Sequence, residues 1–334
     1  VAPPSRRHLP AKLALSEAKG CRRYASAWSP GMRVVYSDRY DLNLGEHVFP
    51  SVKYRLARDK LIEEGVATLS DFIEPQPASD EDVALIHHRD YIRKLKTGSL
   101  SSHEILRMEI PYSPELIQAV WLSAGGSILA GREALKSGAT VNLGGGFHHA
   151  CADHGEGFCV IHDVAIAIRR LQKDAAIARA MTVDCDVHQG NGTAEIFAGD
   201  PDVYTFSIHQ ERNYPYPKPP SNLDVNLEDG VEDGAYLAAL KAALDRALEE
   251  FSPDLIFYLA GADPYREDQL GGLKLTIEGL IERDRMVFRK ARERKIPVAV
   301  TLAGGYARRV EDTVRIHTNT VRGACDFASN ANAG

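Results

Sequence analysis

The chain has no CxxC pair. Its five cysteines, at 21, 151, 159, 185 and 325, are odd in number and scattered, so neither a disulfide framework nor a structural cysteine–zinc site is expected. A reducing compartment follows, with the cytoplasm as the first expectation. No uninterrupted apolar run approaches the roughly 20 residues that a membrane-spanning helix needs, so no membrane partner is expected. An excess of positive charge is also missing: 40 Lys and Arg stand against 46 Asp and Glu, a formal net charge of -6. No global field then draws the chain to nucleic acid, which is disfavoured as a direct partner. Internal repeats and low-complexity linkers are absent. What is present, 44% hydrophobic and 26% charged residues over 334 positions, is the composition of a globular protein long enough for one large core.

The first thirty residues differ from the rest. Arg6, Arg7, Lys12, Lys19, Arg22 and Arg23 face only Glu17, among Ser5, Ser16, Ser26 and Ser29. Residues 1–30 read as a basic arm or the remnant of an organelle targeting segment, and residues 31–334 as the folded domain. From residue 33 onward, short β-branched runs alternate with segments of helical period, the pattern of an α/β domain with a mainly parallel sheet under helices. Strands are expected at Arg33 to Tyr36, Thr140 to Leu143, Ala180 to Asp184, Asp202 to Ser207, Asp254 to Leu259 and Pro297 to Leu302. Helices are expected at 51–65, 80–96, 114–136, 161–172, 233–250, 276–294 and 309–328. Gly125 and Gly126 weaken the third helix, implying close packing or a break. The proline-rich stretch 212–229 reads as a long surface loop.

Ligands of parallel sheets bind beyond the carboxyl ends of the strands, and five such ends are loaded with chemistry. They carry Gly144 to His149, Asp184 to Gly192, Ser207 to His209, Gly261 to Asp263 and Gly304 to Tyr306. In an extended segment residues i and i+2 share a side, so Asp186 and His188 can hold one ion together, with Asp184 further back. With Asp263 as third ligand, two carboxylates and an imidazole suit Zn²⁺ or Fe²⁺ with a position left open for water. A DxH triplet alone is weak, and an Asp after a strand is also a common helix cap. Convergence of five strand ends favours the metal. Three glycines before His148 and His149 let backbone approach a ligand closely, and one ring of such a pair can serve as base while the other supports it. Tyr306 can aim a hydroxyl at a developing oxyanion, although a Tyr after Gly-Gly is more often a packed aromatic. The other pair, His87 and His88, falls in a helical segment and reads as structural. Cys151 and Cys185 read as small packing residues.

The set GGGFHHA (144–150), GEGFC (155–159), DCDVHQGNG (184–192), GADP (261–264), LGGL (270–273) and AGGY (303–306) resembles the arginase-like histone deacetylase superfamily. The GGGFHH form, HQGNG and DQLGGLKLT look most like class IV histone deacetylases and their bacterial relatives. The resemblance runs from about Val34 to about Phe327. It implies a single three-layer αβα catalytic domain and a metal at Asp186, His188 and Asp263. It implies His149 as general base and acid, His148 as electrostatic partner backed by Asp184, and Tyr306 polarising the scissile carbonyl. Class I members carry Asp where this chain has Asn191, which should leave His149 less basic here. Gly157, Phe158, Gly305 and either Tyr214 or Tyr216 would line the acyl-lysine tunnel. A monovalent cation, usually K⁺, would sit at Asp184, Asp186, His188 and Ser207, largely on backbone carbonyls.

The activity implied is metal-dependent hydrolysis of N-acyl-lysine in a peptide or protein. The alternatives are an amidohydrolase of small acylated amines such as acetylpolyamines, and a non-catalytic acyl-lysine-binding module. The presence of every catalytic position argues against the last. Oligomeric state and acyl-chain preference are open at this point.

Overall fold

The computed structural model describes residues 32–42 and 44–331, with side chains to 329; the expected basic arm, 1–30, lies outside the described residues. Eight strands form one all-parallel sheet in the order β2-β1-β3-β8-β7-β4-β5-β6. They are β1 (Val34–Val35), β2 (Phe72–Ile73), β3 (Ala139–Asn142), β4 (Ala180–Asp184), β5 (Val203–Gln210), β6 (Leu223–Leu227), β7 (Leu255–Leu259) and β8 (Val298–Thr301). Every residue of β3, β4, β5, β7 and β8 is buried. That burial explains why these strands read as continuous apolar runs rather than alternating ones, since helices cover both faces of a parallel sheet. The helices are α1 (Lys53–Glu63), α2 (Asp80–Val83), α3 (Arg89–Thr97), α4 (Ser102–Met108), α5 (Pro114–Ser137), α6 (Asp163–Lys173), α7 (Asn191–Ile196), α8 (Asp233–Glu250), α9 (Ile277–Glu293) and α10 (Val310–Ala331). α5 packs on α6 and on β3 and β8, while α1, α10, α9 and α8 form a second contiguous layer. No described helix is long and apolar enough to cross a membrane.

Two expectations are corrected and one is decided between its two alternatives. The segment 80–96 is two helices, because the His88 N–H donates to the Ala152 carbonyl (2.8 Å) instead of continuing the helical ladder. The glycines do not break α5: a Cβ on Gly125 would stand 1.8 Å from the Gln76 carbonyl oxygen, so close packing is the reason for the residue. The stretch 212–229 is not loop throughout. Its prolines stop at 220, and Leu223, Val225 and Leu227, spaced by two, build the edge strand β6 against Phe206–Gln210. Three further elements, α4, α7 and β2, fall outside the expected set. α4 carried its signal, a capping box in which Ser101 and Glu104 bond each other's backbone N–H.

Candidate active site

β3, β8, β7 and β4 are consecutive neighbours, so their carboxyl ends open side by side at one edge of the sheet. The turn after β3 needs its glycines. Gly146 has φ +88°, and a Cβ there would meet Ala303 at 2.8 Å, so only glycine lets this turn lie against the turn after β8. Asp163, at the start of α6, accepts from the N–H of Gly146 (3.0 Å) and Phe147 (2.8 Å) and from Ser127 Oγ (2.5 Å). The turn is thereby held with His148 and His149 facing the edge. Across from it, the Gly304 N–H donates to Asp186 Oδ2 at 2.8 Å, and a Cβ on Gly304 would stand 2.0 Å from Asp263 Oδ2.

Asp186, His188 and Asp263 come together, all buried, with one ligand atom from each within 4.8 Å of the others. His188 Nδ1 lies 3.1 Å from Asp186 Oδ1 and 3.5 Å from Asp263 Oδ2. Asp263 is no helix cap: its Oδ1 accepts from the Val187 N–H at 2.9 Å, and its Oδ2 is buried with no hydrogen-bond donor. A buried carboxylate oxygen without a donor is costly, and a cation is what satisfies it. Burial and the neighbouring Asp186 charge push the Asp263 carboxyl up to about 7. The donor set, two carboxylates and an imidazole with room beside them, fits a divalent ion of the zinc or iron type.

The tandem histidines are backed differently. His148 Nδ1 lies 2.7 Å from Asp184 Oδ2, and His149 Nδ1 lies 2.7 Å from Asn191 Oδ1. Burial opposes charge on His148, but Asp184 and Asp186 outweigh it and raise its pKa to about 9. Burial, then the charges on His148 and His188, hold His149 well below its ordinary value. One ring is thus an imidazolium and its neighbour, 4.1 Å away between centroids, a neutral base.

Tyr306 shares the hollow with His148, His149, Asp186 and Gly304. Burial and the charges of Asp186 and Asp263 push its phenol well above the usual range, so it stays protonated as a donor. Gly157, Phe158 and Tyr214 line the outer cleft together with His188 and Tyr306. The structure separates the two tyrosines: the Tyr214 ring stands edge-on to His149 at 4.9 Å, whereas Tyr216 is 70% exposed and lies off the cleft. Gly305 does not line either hollow, and a Cβ on it would meet Thr313, Ala262 and His317. Ser207 pairs in register with Asp184, but Ser207 to His209 lie within β5, which runs on to Gln210, not beyond its end. His87 is structural, its Nε2 accepting from the His162 N–H at 2.9 Å.

Four further residues support the site, none of them with a role assigned from the sequence. Asp268 accepts from the N–H of Leu270 (2.8 Å), Gly271 (3.0 Å) and Tyr306 (2.7 Å), tying the LGGL turn to the tyrosine. Lys53, fully buried, donates to the Ala303 carbonyl at 2.7 Å from α1. Asp163 holds the glycine turn, and Glu156 bonds Asn191. Glu156 and Asp268 lie within the GEGFC and DQLGGLKLT strings themselves, whereas Lys53 and Asp163 lie outside every motif of the set.

The sequence profile of the histone deacetylase domain matches residues 47–321. An uncharacterized protein of Picosynechococcus sp. is 39% identical over 297 residues, covering 89% of this chain and 99% of that protein. Histone deacetylase 2 of Arabidopsis thaliana is 33% identical over 298 residues, covering 84% of this chain and 77% of its own. Among solved structures, an HDAC homolog from Aquifex aeolicus shares the fold with a TM-score of 0.76 at 24% identity, over 89% of this chain and 84% of that one.

Proposed function

The chain belongs to the histone deacetylase domain family, and we propose that it is a class IV-like deacylase that hydrolyses the side-chain amide of N-acyl-lysine within one catalytic domain, 31–334. The observation that carries this reading is the pair of unlike histidines beside a buried Asp–His–Asp group with one unsatisfied oxygen. Zn²⁺ at Asp186, His188 and Asp263 would supply Lewis acidity toward the amide carbonyl and toward water. The chain's own residues do the rest. Phe158 and Tyr214 flank the acyl-lysine stem in the cleft. His149 Nε2 takes the proton from the attacking water and later delivers it to the leaving amine. His148, held cationic by Asp184, favours the negative charge that builds up next to it. The Tyr306 hydroxyl donates to the carbonyl oxygen as that oxygen becomes anionic.

K⁺ belongs to the same proposal, at the carbonyls of Asp184, Asp186 and His188 and at Ser207. It is supported by the register that sets Asp184 beside Ser207 and by the burial of both carboxylates. The test is a turnover profile of the zinc-loaded protein on acetyl-, butyryl-, octanoyl- and myristoyl-lysine peptides and on acetylpolyamines. Hydrolysis of acyl-lysine peptides supports the proposal. Turnover confined to acetylpolyamines moves the substrate to small amines, and no turnover of any amide overturns it.

A further inference from the structure

Behind His149 runs a hydrogen-bond chain that ends on a charge. His149 Nδ1 lies 2.7 Å from Asn191 Oδ1, and Asn191 Nδ2 donates to Glu156 Oε1 at 2.5 Å. Tyr214 Oη donates to the same Glu156 oxygen at 2.9 Å. The second oxygen, Oε2, receives Arg107 through Nε at 2.8 Å and Nη2 at 2.7 Å, with His154 Nε2 at 3.3 Å. Burial opposes the charge on Glu156, but His154, Tyr214, Asn191 and Arg107 outweigh it and hold the carboxyl down to about 2. Glu156 is therefore an anion, 7% exposed, with acceptors only.

That matters because an asparagine amide has two unlike ends. Facing a carboxylate, Asn191 must turn its NH₂ toward Glu156, which sends its oxygen toward His149. The amide oxygen also only accepts, so Nδ1 of neutral His149 must carry the hydrogen and Nε2 is left bare. Reversing the amide would put the hydrogen on Nε2, and the ring would have no acceptor to offer a water. We propose that Glu156 is a positioning residue that fixes the tautomer of His149 through Asn191, and that the same oxygen sets the Tyr214 wall. The family's class I pattern places a carboxylate directly behind the base; here the carboxylate stands one amide further out. The inference rests on the deacylase reading only in taking His149 as the base.

The test relocates the charge. Glu156→Gln keeps the volume but can donate or accept, so the Asn191 amide is free to turn, and kcat falls at least about 10-fold. Asn191→Asp alone crowds two carboxylates and also lowers kcat. The double substitution Asn191→Asp with Glu156→Gln restores a carboxylate facing Nδ1 and a donor behind it, and kcat returns to within about threefold of wild type. A double substitution no better than Glu156→Gln would show that Glu156 merely ties its loop to Arg107, and would overturn the proposal. An independent readout needs no turnover. In ¹⁵N-histidine spectra of the zinc-loaded protein, the signals missing from His149→Gln should report the Nδ1–H tautomer, and in Glu156→Gln they should move toward Nε2–H. An Nε2–H wild type overturns the proposal. A wild type that is Nδ1–H yet hydrolyses no amide overturns the deacylase reading instead. Should Glu156→Gln not fold, the double substitution is compared with Asn191→Asp instead, and a double no more active than Asn191→Asp overturns the proposal.

Discussion

His148 and His149 are adjacent in sequence, yet a carboxylate behind one and an amide behind the other accompany opposite pKa shifts. A similar contrast of environments sets Tyr306. Burial, with the charges of Asp186 and Asp263, keeps the phenol protonated, and Asp268 accepts from its backbone N–H at 2.7 Å. Tyr306→Phe should lower kcat on the best acyl-lysine substrate by about 10² while leaving metal content and Tm unchanged, since one oxyanion donor is removed. Unchanged kcat would make the residue a packed aromatic only. His87 gives a prediction of stability rather than rate. Burial lowers its pKa from 6.5 to about 4, so the unfolded chain binds the proton first as pH falls. Its contribution is complete above pH 6.5 and is lost as pH drops toward 4, by about 3 kcal/mol. His87→Gln keeps an acceptor for the His162 N–H without the titration. Denaturant midpoints between pH 7 and 4 should fall less steeply in that variant, and superimposable curves would refute the assignment.

At the scale of elements, the same residue type serves opposite ends. Gly125 in α5 is pressed against the Gln76 carbonyl, whereas Gly234 in the first turn of α8 has nothing within 4 Å of an added Cβ. Gly125→Ala should cost about 1–3 kcal/mol through overpacking. Gly234→Ala should leave stability level or raise it by about 0.5 kcal/mol, because it removes backbone freedom from the unfolded chain. Thermal unfolding of the two variants checks the contrast, and a Gly125→Ala protein as stable as wild type would defeat it. The contrast also shows what the sequence could disclose. The interior strands β3, β4, β5, β7 and β8 were legible because burial on both faces demands apolar β-branched runs. The candidate metal-binding residues were legible because they cluster in the turns that follow those strands. β2, at the other edge of the sheet, has two residues and no pattern to read. Lys53 meets Ala303 across 250 positions, and Asp163 bonds backbone N–H groups, which leave no mark on the residue types they occupy. Glu156 escaped for a related reason: its role depends on Asn191, Tyr214 and Arg107 meeting at one point.

Over the whole molecule, the metal group is a cost that the fold carries into its own centre. Asp186 and Asp263 are buried in the turns after β4 and β7; of the two buried cations nearby, Lys53 lies in the field of both carboxylates, while Arg283 is paired with Asp284 at 2.8 Å. Lys53 reaches the Ala303 carbonyl, and Arg283, on α9, donates to the carbonyls of Cys185 (3.3 Å) and Gly261 (2.5 Å). Neither reaches Asp263 Oδ2, which has no donor. A divalent ion should therefore bind the folded chain far better than the unfolded one and raise Tm, by about 4 kcal/mol of added stability when free Zn²⁺ is 1,000 times Kd. Protons compete for the same atoms. Burial opposes charge on His188, but Asp186 and Asp263 hold it up to about 10, and Asp263 itself sits at about 7. Binding at neutral pH must then release protons, and affinity strengthens as pH rises from 6 to 8. The measurement is the Tm difference between zinc-loaded and chelator-treated protein at pH 6, 7 and 8. The expected difference grows with pH in the wild type and vanishes in Asp263→Asn, which keeps the size of the side chain but gives up its charge. An equal zinc effect in Asp263→Asn would place the ion elsewhere, and with it the reason for burying these two carboxylates at the carboxyl ends of the sheet.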